Sequence, residues 1–258
     1  MSAGTFTPRP GAAPVSRMIL AQTALETRML LRNGEQLLLT VIIPALLLVL
    51  FSSVDVITVP VGSAQRSVDF LAPGILALAV LSTAFTGQAI ATGFDRRYGV
   101  LKRLGASPLP RWALMAAKTL SVLVTEVLQI ALLTVIAFAL GWSPHGNPAA
   151  VAALILLGTA AFSGLGLLMA GTLKAEVTLA AANLVFLLLL VGGGVIVPMD
   201  RFPGAVQDVL GLLPVSALSH GLREVLQDGA GLPWADAAVL LVWTVLGLGA
   251  AAKFFRWE

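Results

Sequence analysis

The sequence predicts an all-α integral membrane protein with six transmembrane helices and both termini in the cytoplasm. Hydrophobic residues make up 58% of the 258-residue chain and charged residues only 11%, whereas a soluble domain carries about 25% charged residues. The mean hydropathy is +0.94. Several apolar runs approach or exceed the roughly 20 residues that a helix needs to cross a bilayer. Most of the surface must therefore face lipid rather than water.

Six apolar runs alternate with polar loops, and each run predicts one span. The first run is short and contains Pro44, which predicts a kink. The spans are expected at about 37–53, 70–92, 113–140, 149–172, 178–197 and 235–252. Together with their loops they form one six-span domain, residues 37–258.

The residues before the first span divide into two parts. Residues 1–16 are polar, rich in proline and glycine, and lack the apolar core of a signal peptide, so we expect a disordered tail. Residues 17–36 place apolar side chains at helical spacing, with Arg28 and Arg32 largely on other faces. This pattern predicts an amphipathic helix in the membrane interface. A membrane-surface anchor and a partner-binding helix fit the pattern equally well.

The distribution of Lys and Arg predicts the orientation, because cytoplasmic loops carry the excess of these residues. One set of segments holds twelve of them: Arg9, Arg17, Arg28, Arg32, Arg96, Arg97, Lys102, Arg103, Arg111, Lys174, Lys253 and Arg256. The remaining loops hold three: Arg66, Arg201 and Arg223. Lys118, within the third span, is close enough for its side chain to reach the basic side. Both termini are therefore predicted to be cytoplasmic.

The residues needed for enzymatic chemistry are missing from the expected places. There is no cysteine, and the two histidines, His145 and His220, fall in predicted outer loops. Ser163 lacks the preceding glycine of a serine nucleophile turn, and no H-E-x-x-H or P-loop motif occurs. We therefore expect no catalytic residue, no metal site and no cofactor bound by this chain. Any ATP that drives the protein must bind to another chain.

The most basic segment is the loop "FDRRYGVLKRLGASPLPR", residues 94–111. Phe94 to Leu104 can form a short helix, Gly105 stands where a helix-terminating glycine belongs, and Pro108 and Pro110 stop any continuation. The charge alone is explained by the orientation rule. An ordered helix followed by a stiff turn is more than a connecting loop needs, which favours a docking element.

This loop resembles the cytoplasmic loop of type-2 ABC transporter permeases, which follows their second span. The residues that match the pattern are Phe94, Asp95, Arg96, Gly99, Leu101, Leu104, Pro108, Leu109 and Arg111. Asp95 departs from the more frequent Glu, and Lys102 and Arg103 add a basic pair. The resemblance implies a coupling helix that contacts a separate ATPase subunit, which carries ATP and magnesium. Arg96 and Arg97 would pair with acidic groups of that subunit, and Leu101 and Leu104 would fill a groove in it.

Three further segments resemble the same family. The amphipathic helix with "RMLLRNGEQLL", which contains Arg28 and Arg32, resembles the family's N-terminal connecting helix. The segment "VPMDRFPGAVQDVLGLLPVSALSHGLREVL" resembles short helices that dip into the outer leaflet between the last two spans, and "KFFRWE" resembles the end of the daunorubicin-resistance type of permease. The resemblance implies a half-transporter in the plasma membrane of a prokaryote, with two permease chains and two ATPase chains and no nucleic acid. It would export an amphipathic drug, lipid or lipid-linked glycan. An intramembrane enzyme and a non-transporting scaffold are the alternatives.

Polar side chains within the predicted spans are the remaining candidates. They are Thr86, Gln88, Glu126, Gln129 and Asn183. Polar groups at this depth usually face a bundle interior or a cavity. They could line a substrate path or a dimer seam, or they could fix helix packing through interhelical hydrogen bonds. For Glu126 the two roles are equally favoured.

Overall fold

The computed structural model describes residues 13–53, 67–195 and 203–256, and all regular structure in these residues is helical. The elements are α1 Val15–Arg32, α2 Gly34–Ser53, α3 Ser67–Val80, a π-helical segment Leu81–Gly87, α4 Gln88–Arg97, α5 Val100–Gly105, α6 Arg111–Ala139, α7 Pro148–Thr172, α8 Ala175–Gly192, α9 Gly204–Gly211, α10 Pro214–Asp228 and α11 Trp234–Phe254. The predicted all-α membrane fold is confirmed. The predicted tail, residues 1–16, falls almost wholly outside the described residues.

Among the described residues, five helices are long and apolar enough to cross a membrane. They are Ser67–Arg97, Arg111–Ala139, Pro148–Thr172, Ala175–Gly192 and Trp234–Phe254. These correspond to the second to sixth predicted spans. The first predicted span lies in α2, which contains Pro44 and has a shorter apolar stretch, Thr40–Ser52. The count of six spans therefore remains a prediction.

The predicted boundary between the amphipathic helix and the first span is slightly displaced. α1 ends at Arg32, and α2 begins at Gly34. Residues 34–36, expected at the end of the amphipathic helix, start the next helix instead. The helix is interrupted at Asn33 and Gly34 because both residues have low helix propensity.

The span Ser67–Arg97 is the centre of the bundle. It consists of α3, the π-helical segment and α4, and 89% of its most apolar window is buried, against 17% for α8 and 22% for α11. α8 and α11 therefore leave most of their surface for lipid or for another chain. π-helical turns within α-helices are rare and occur frequently at functional sites. The polar Thr83 and Thr86 lie within this one.

Among the described helices, α7 and α11 form the most extensive contact. A Cβ atom on Gly164 would lie 2.5 Å from the backbone nitrogen of Leu248 and 2.7 Å from the carbonyl carbon of Gly247. Only glycine allows the two backbones to approach this closely. Gly166, on the same helix, meets the carbonyl oxygen of Phe85 in the π-helical segment, where a Cβ would lie at 2.9 Å. Gly164 and Gly166 therefore mark the places where α7 contacts its neighbours closely.

The short helices α9 and α10 lie between the fifth and sixth spans, as the sequence predicts. Trp243 Nε1 donates a hydrogen bond of 2.8 Å to the carbonyl oxygen of Leu212, between α9 and α10. Trp243 is nine residues into α11, which corresponds to about 13 Å along the helix. The junction of α9 and α10 therefore lies well below the level of Trp234, the first residue of α11. This contact also explains a tryptophan that is too deep for an interfacial belt.

Contacts bring the basic segments to one end of the bundle. Arg96 donates to the carbonyl oxygen of Leu173, and the backbone nitrogen of Arg256 donates to the carbonyl oxygen of Gly171. Met18 of α1 packs against a cluster that contains Leu101 of α5. α1, the loop 98–110, the α7–α8 connection and the end of α11 thus share one end, which the charge distribution predicts to be cytoplasmic.

Candidate functional site: the docking loop and the buried polar cluster

The predicted helix Phe94–Leu104 is two helices in the structure. α4 ends at Arg97, and Gly99 adopts a left-handed conformation with φ 71° before α5 begins at Val100. The backbone nitrogen of Gly99 donates to the carbonyl oxygen of Arg96. Glycine adopts this conformation without a Cβ clash and commonly terminates helices. The terminating glycine is therefore Gly99, and the prediction that Gly105 has this role was wrong, since Gly105 is still helical.

α5 packs against the bundle through a buried apolar cluster. Leu101 has no exposed surface and packs in a cluster with Leu109, Leu114 and Phe255. The hypothesis that Leu101 enters a groove of a partner does not fit this structure, because the side chain already fills this cluster. Leu104 is half-buried beside it.

The exposed part of the loop is polar and basic. Lys102, Arg103 and Pro108 are exposed, and Tyr98 is 67% exposed at the start of the loop. Ser107 closes α5 by donating through Oγ to the carbonyl oxygen of Leu104 and accepting from the backbone nitrogen of Leu109. We call the surface formed by Tyr98, Lys102, Arg103 and Pro108 the docking face, after the role that the sequence predicts for this loop.

The first half of the motif contacts the chain itself. Arg97 forms an ion pair with Glu176 of α8, and Arg96 donates to the α7–α8 connection. Phe94 is half-buried, and its ring stacks on Tyr98 with centroids 6.0 Å apart. These contacts hold the loop against α7 and α8. Pairing of Arg96 and Arg97 with an ATPase remains a prediction, and it would compete with these internal partners.

A buried ion cluster lies beneath the loop. Lys118 of α6 is only 4% exposed, and its Nζ lies 3.0 Å from Glu26 Oε1 of α1 and 2.8 Å from Asp95 Oδ2 of α4. The sequence suggested that the Lys118 side chain extends to the basic surface. In the structure it is buried instead and joins three helices. Sequence reasoning missed this cluster. The available signals were a lysine inside a span and a carboxylate on the amphipathic helix, and only the packing shows that they meet.

A small polar cavity adjoins this cluster. Its volume is about 40 Å³, and its lining includes Lys118, Thr40, Gln88, Thr92 and Thr125. Gln88 is 5% exposed. Among the described residues, neither of its amide atoms has a hydrogen-bond partner, and the same is true of the Thr92 hydroxyl. A cavity of this size and polarity can hold water, which would satisfy these groups. The central span thus presents unsatisfied polar groups to this cavity.

Two more of the predicted polar residues lie inside the bundle. Gln129 accepts from Thr83 Oγ1 at 2.7 Å and donates to the carbonyl oxygen of Thr40 at 2.6 Å. Glu126 is 1% exposed and accepts from Thr159 Oγ1 at 2.5 Å. These bonds join α6 to α2, α7 and the π-helical segment. They support the packing role, and a role in a substrate path stays a prediction.

The remaining candidates lie elsewhere. The Thr86 hydroxyl is buried without a partner in the π-helical segment. Asn183 is on the exposed face of α8 and donates to the carbonyl oxygen of Leu179 within its own helix. Arg28 and Arg32 are exposed on α1, and Arg111 is exposed at the start of α6. The structure therefore separates Asn183 from the interior polar residues.

Comparison with known proteins places the chain in a family. The chain matches the ABC-2 type transporter family over residues 19–226. It is 29% identical to the linearmycin resistance permease protein LnrN of Bacillus subtilis (strain 168) over 167 residues, 62% of this chain and 43% of LnrN. It is 23% identical to the transport permease YvfS of the same organism over 233 residues, 87% of this chain and 91% of YvfS. The match thus spans less than half of LnrN but most of YvfS. The chain is therefore a multi-pass membrane permease that belongs to the ABC-2 type transporter family.

Proposed function

We propose that this permease is half of the membrane part of an ATP-driven exporter, and that a separate ATPase subunit binds its docking face. The observation that carries the proposal is the arrangement of side chains on α5. Lys102 and Arg103 are exposed, whereas Leu101 of the same helix is fully buried. A docking element must present its contact groups to the partner and also be firmly attached to the structure it moves. α5 meets both requirements.

The contacts of α5 offer a route for movement. The cluster around Leu101 includes residues of α6, α7 and α11, and Lys118 links α6 to α1 and α4. A displacement of α5 would therefore be transmitted to several spans at once. It would also reach the polar cavity, because Lys118 lines it.

We propose that two permease chains associate and that the face of α8 carrying Asn183 lies at their seam. Leu184, Leu187, Leu188 and Val191 of this helix are more than half exposed. A purely lipid-facing surface disfavours a polar side chain such as Asn183. In a seam its amide would bind the second chain, whether that chain is an identical or a different permease subunit.

We propose an amphipathic substrate, such as a drug, a lipid or a lipid-linked glycan, moved outward across the plasma membrane. The helices expose apolar side chains widely, while the interior of the central span is polar near Gln88 and Thr92. A substrate with apolar and polar parts suits such surroundings. LnrN is named for linearmycin resistance, which agrees with a drug as one member of this class.

Charge reversal on the docking face tests the proposal. Lys102→Glu with Arg103→Glu should weaken ATPase binding about tenfold, because each lost exposed ion pair contributes about 0–1 kcal/mol and the reversed charges add repulsion. Arg17→Glu with Lys174→Glu is the matched control, since both residues are exposed at the same end of the bundle. ATPase co-purification, ATP hydrolysis and export are measured together. Equal effects of the two double variants would contradict docking at α5, and retained docking without any export would favour a scaffold.

A further inference from the structure

His220, Glu224 and Asp236 meet at the end of the bundle opposite the docking face. One ring nitrogen of His220 and one carboxylate oxygen from each of the other two lie within 4.8 Å of one another. The sequence suggested no metal site, because the two histidines fall in different loops. It gave no sign that Asp236, sixteen residues after His220, returns to its side.

The fold assembles this cluster from two helices. His220 and Glu224 are four residues apart in α10, so their side chains share one face. Gly229, with φ 66°, ends α10 in a left-handed conformation and lets the chain return towards α11. Gly221 permits the close approach, since a Cβ there would lie 3.3 Å from the Cβ of Asp236. The carboxylate of Asp236 is thereby fixed beside the His220 ring.

The two carboxylates face different nitrogens of the His220 ring, so a single metal ion requires the side chains of His220 and Glu224 to rotate. His220 Nδ1 lies 2.9 Å from Asp236 Oδ2, and Nε2 lies 3.9 Å from Glu224 Oε1. Zinc binds nitrogen and oxygen ligands at about 2.0–2.2 Å in tetrahedral geometry, which places two ligand atoms about 3.4 Å apart. His220 and Glu224 are 61% and 41% exposed, so both side chains have room to move. Asp236, at 15% exposed, provides the fixed point.

The electrostatic surroundings favour a cation. Arg223, the neighbouring cation on α10, points away from the cluster. It donates to the carbonyl oxygens of Gly194 and Val195 at 2.7 and 2.8 Å and stacks on Phe70 at 4.0 Å. The guanidinium therefore donates its hydrogen bonds to backbone carbonyl groups rather than to the two carboxylates.

We propose that His220, Glu224 and Asp236 bind a divalent transition-metal ion of the zinc class. Imidazole with carboxylates selects zinc, cobalt or nickel over magnesium and calcium, which prefer ligand sets made of oxygen alone. Water completes the coordination, because the cluster is open to solvent. The bound ion joins α10 to α11 and thus stiffens the pair of helices next to the sixth span. This site is independent of the proposed docking of an ATPase.

The alternative is that His220 and Asp236 form only a hydrogen bond between the helices. Glu224 distinguishes the two cases. A simple hydrogen bond through Nδ1 does not need Glu224, whereas a metal site does. Asp236→Asn removes the charge but retains an oxygen acceptor for the ring, so the helix contact is preserved while metal binding is weakened.

Titration of zinc chloride into the detergent-purified full chain, carrying an affinity tag without histidines, tests the site. We expect one saturable zinc ion per chain, a cobalt complex with visible absorption, and no saturable binding of magnesium. His220→Ala should abolish zinc binding, and Glu224→Gln or Asp236→Asn should weaken it about tenfold or more. His145→Ala is the matched control, because it removes the only other histidine of the sequence and leaves the cluster intact.

Three results would overturn the proposal. They are the absence of saturable zinc binding by the parent chain, an equal loss in His145→Ala and His220→Ala, and unchanged affinity in Glu224→Gln. Glu224 is well exposed, so Glu224→Gln remains informative even if His220→Ala fails to fold.

Discussion

Replacement of Lys118 by methionine is expected to destabilise the protein by leaving two carboxylates without their shared cation. Methionine has a similar length, so the change removes the charge with little change in volume. Glu26 and Asp95 would then face each other at the place where α1, α4 and α6 meet. Breaking a buried ion pair by removing one partner costs about 3–5 kcal/mol, because a charge is left uncompensated.

The geometry gives an independent magnitude. Both carboxylate oxygens lie within 3.0 Å of Lys118 Nζ, so they are at most about 6 Å apart. At an effective dielectric constant of about 20, two unit charges at that distance repel by about 3 kcal/mol. The side chains of Glu26 and Asp95 are 17% and 25% exposed, and solvent screening reduces this value. We therefore expect a loss of about 2–3 kcal/mol in the free energy of unfolding.

Reversible unfolding of the detergent-purified chain in SDS measures this loss. Lys174→Met, at an exposed lysine, is the control and should change stability by less than about 0.5 kcal/mol. The combined variant Lys118→Met, Glu26→Gln, Asp95→Asn removes all three charges, and it should be more stable than Lys118→Met alone. The reasoning is refuted if Lys118→Met behaves like the control, or if the combined variant is the less stable of the two.

Four further outcomes follow from the packing and the charge distribution. Gly164→Ala should lower the free energy of unfolding by about 1–3 kcal/mol through the clash with α11. Gly249→Ala, with open space around it, should be neutral or slightly stabilising in the same SDS unfolding assay. Leu101→Ala should lower the free energy of unfolding by about 2–5 kcal/mol, since the residue is fully buried; an unchanged unfolding transition would place it outside the core. Glu126→Leu should lower the free energy of unfolding by about 1 kcal/mol, because it removes the hydrogen bond from Thr159 of α7. Glu126→Gln can still accept this bond and should lower the free energy of unfolding less. Equal effects of the two changes in SDS unfolding would speak against this bond. A reporter that works only in the cytoplasm should be active when it is fused after residue 258. Activity of a reporter that works only outside the cell, fused at the same position, would reverse the predicted orientation.

The loop 94–111 shows how far the sequence could be interpreted without coordinates. Its basic charge, its short helix and its stop before Pro110 were all predictable, because each depends on neighbouring residues. The division of the helix at Gly99 was not, because Gly99 and Gly105 are both suitable for ending a helix. The choice between them depends on Leu101, which enters the core only if the chain turns before it.

The polar residues show the same limit. Their depth in the spans follows from the sequence, and so does the expectation that Glu126 avoids lipid, which its burial confirms. Their partners do not follow, because a helix face is fixed only when its neighbours are known. Asn183 looked equivalent to Gln129 in the sequence, yet one is exposed and the other is buried between helices.

The sequence by itself determined the membrane class, the helical spans after the first one, the family and the segments that carry positive charge. The membrane class, the spans and the charge pattern depend on composition and on periodicity along the chain, whereas the family follows from the resemblance of short motifs. All of these are properties of the chain before it folds. Only the tertiary structure decided that Lys118 joins Glu26 to Asp95, that Leu101 is a core residue and that Asp236 lies beside His220. Each of these contacts joins side chains from different helices. Helix crossings are set by close packing at positions such as Gly164 and Gly221, so these contacts exist only once the helices are assembled.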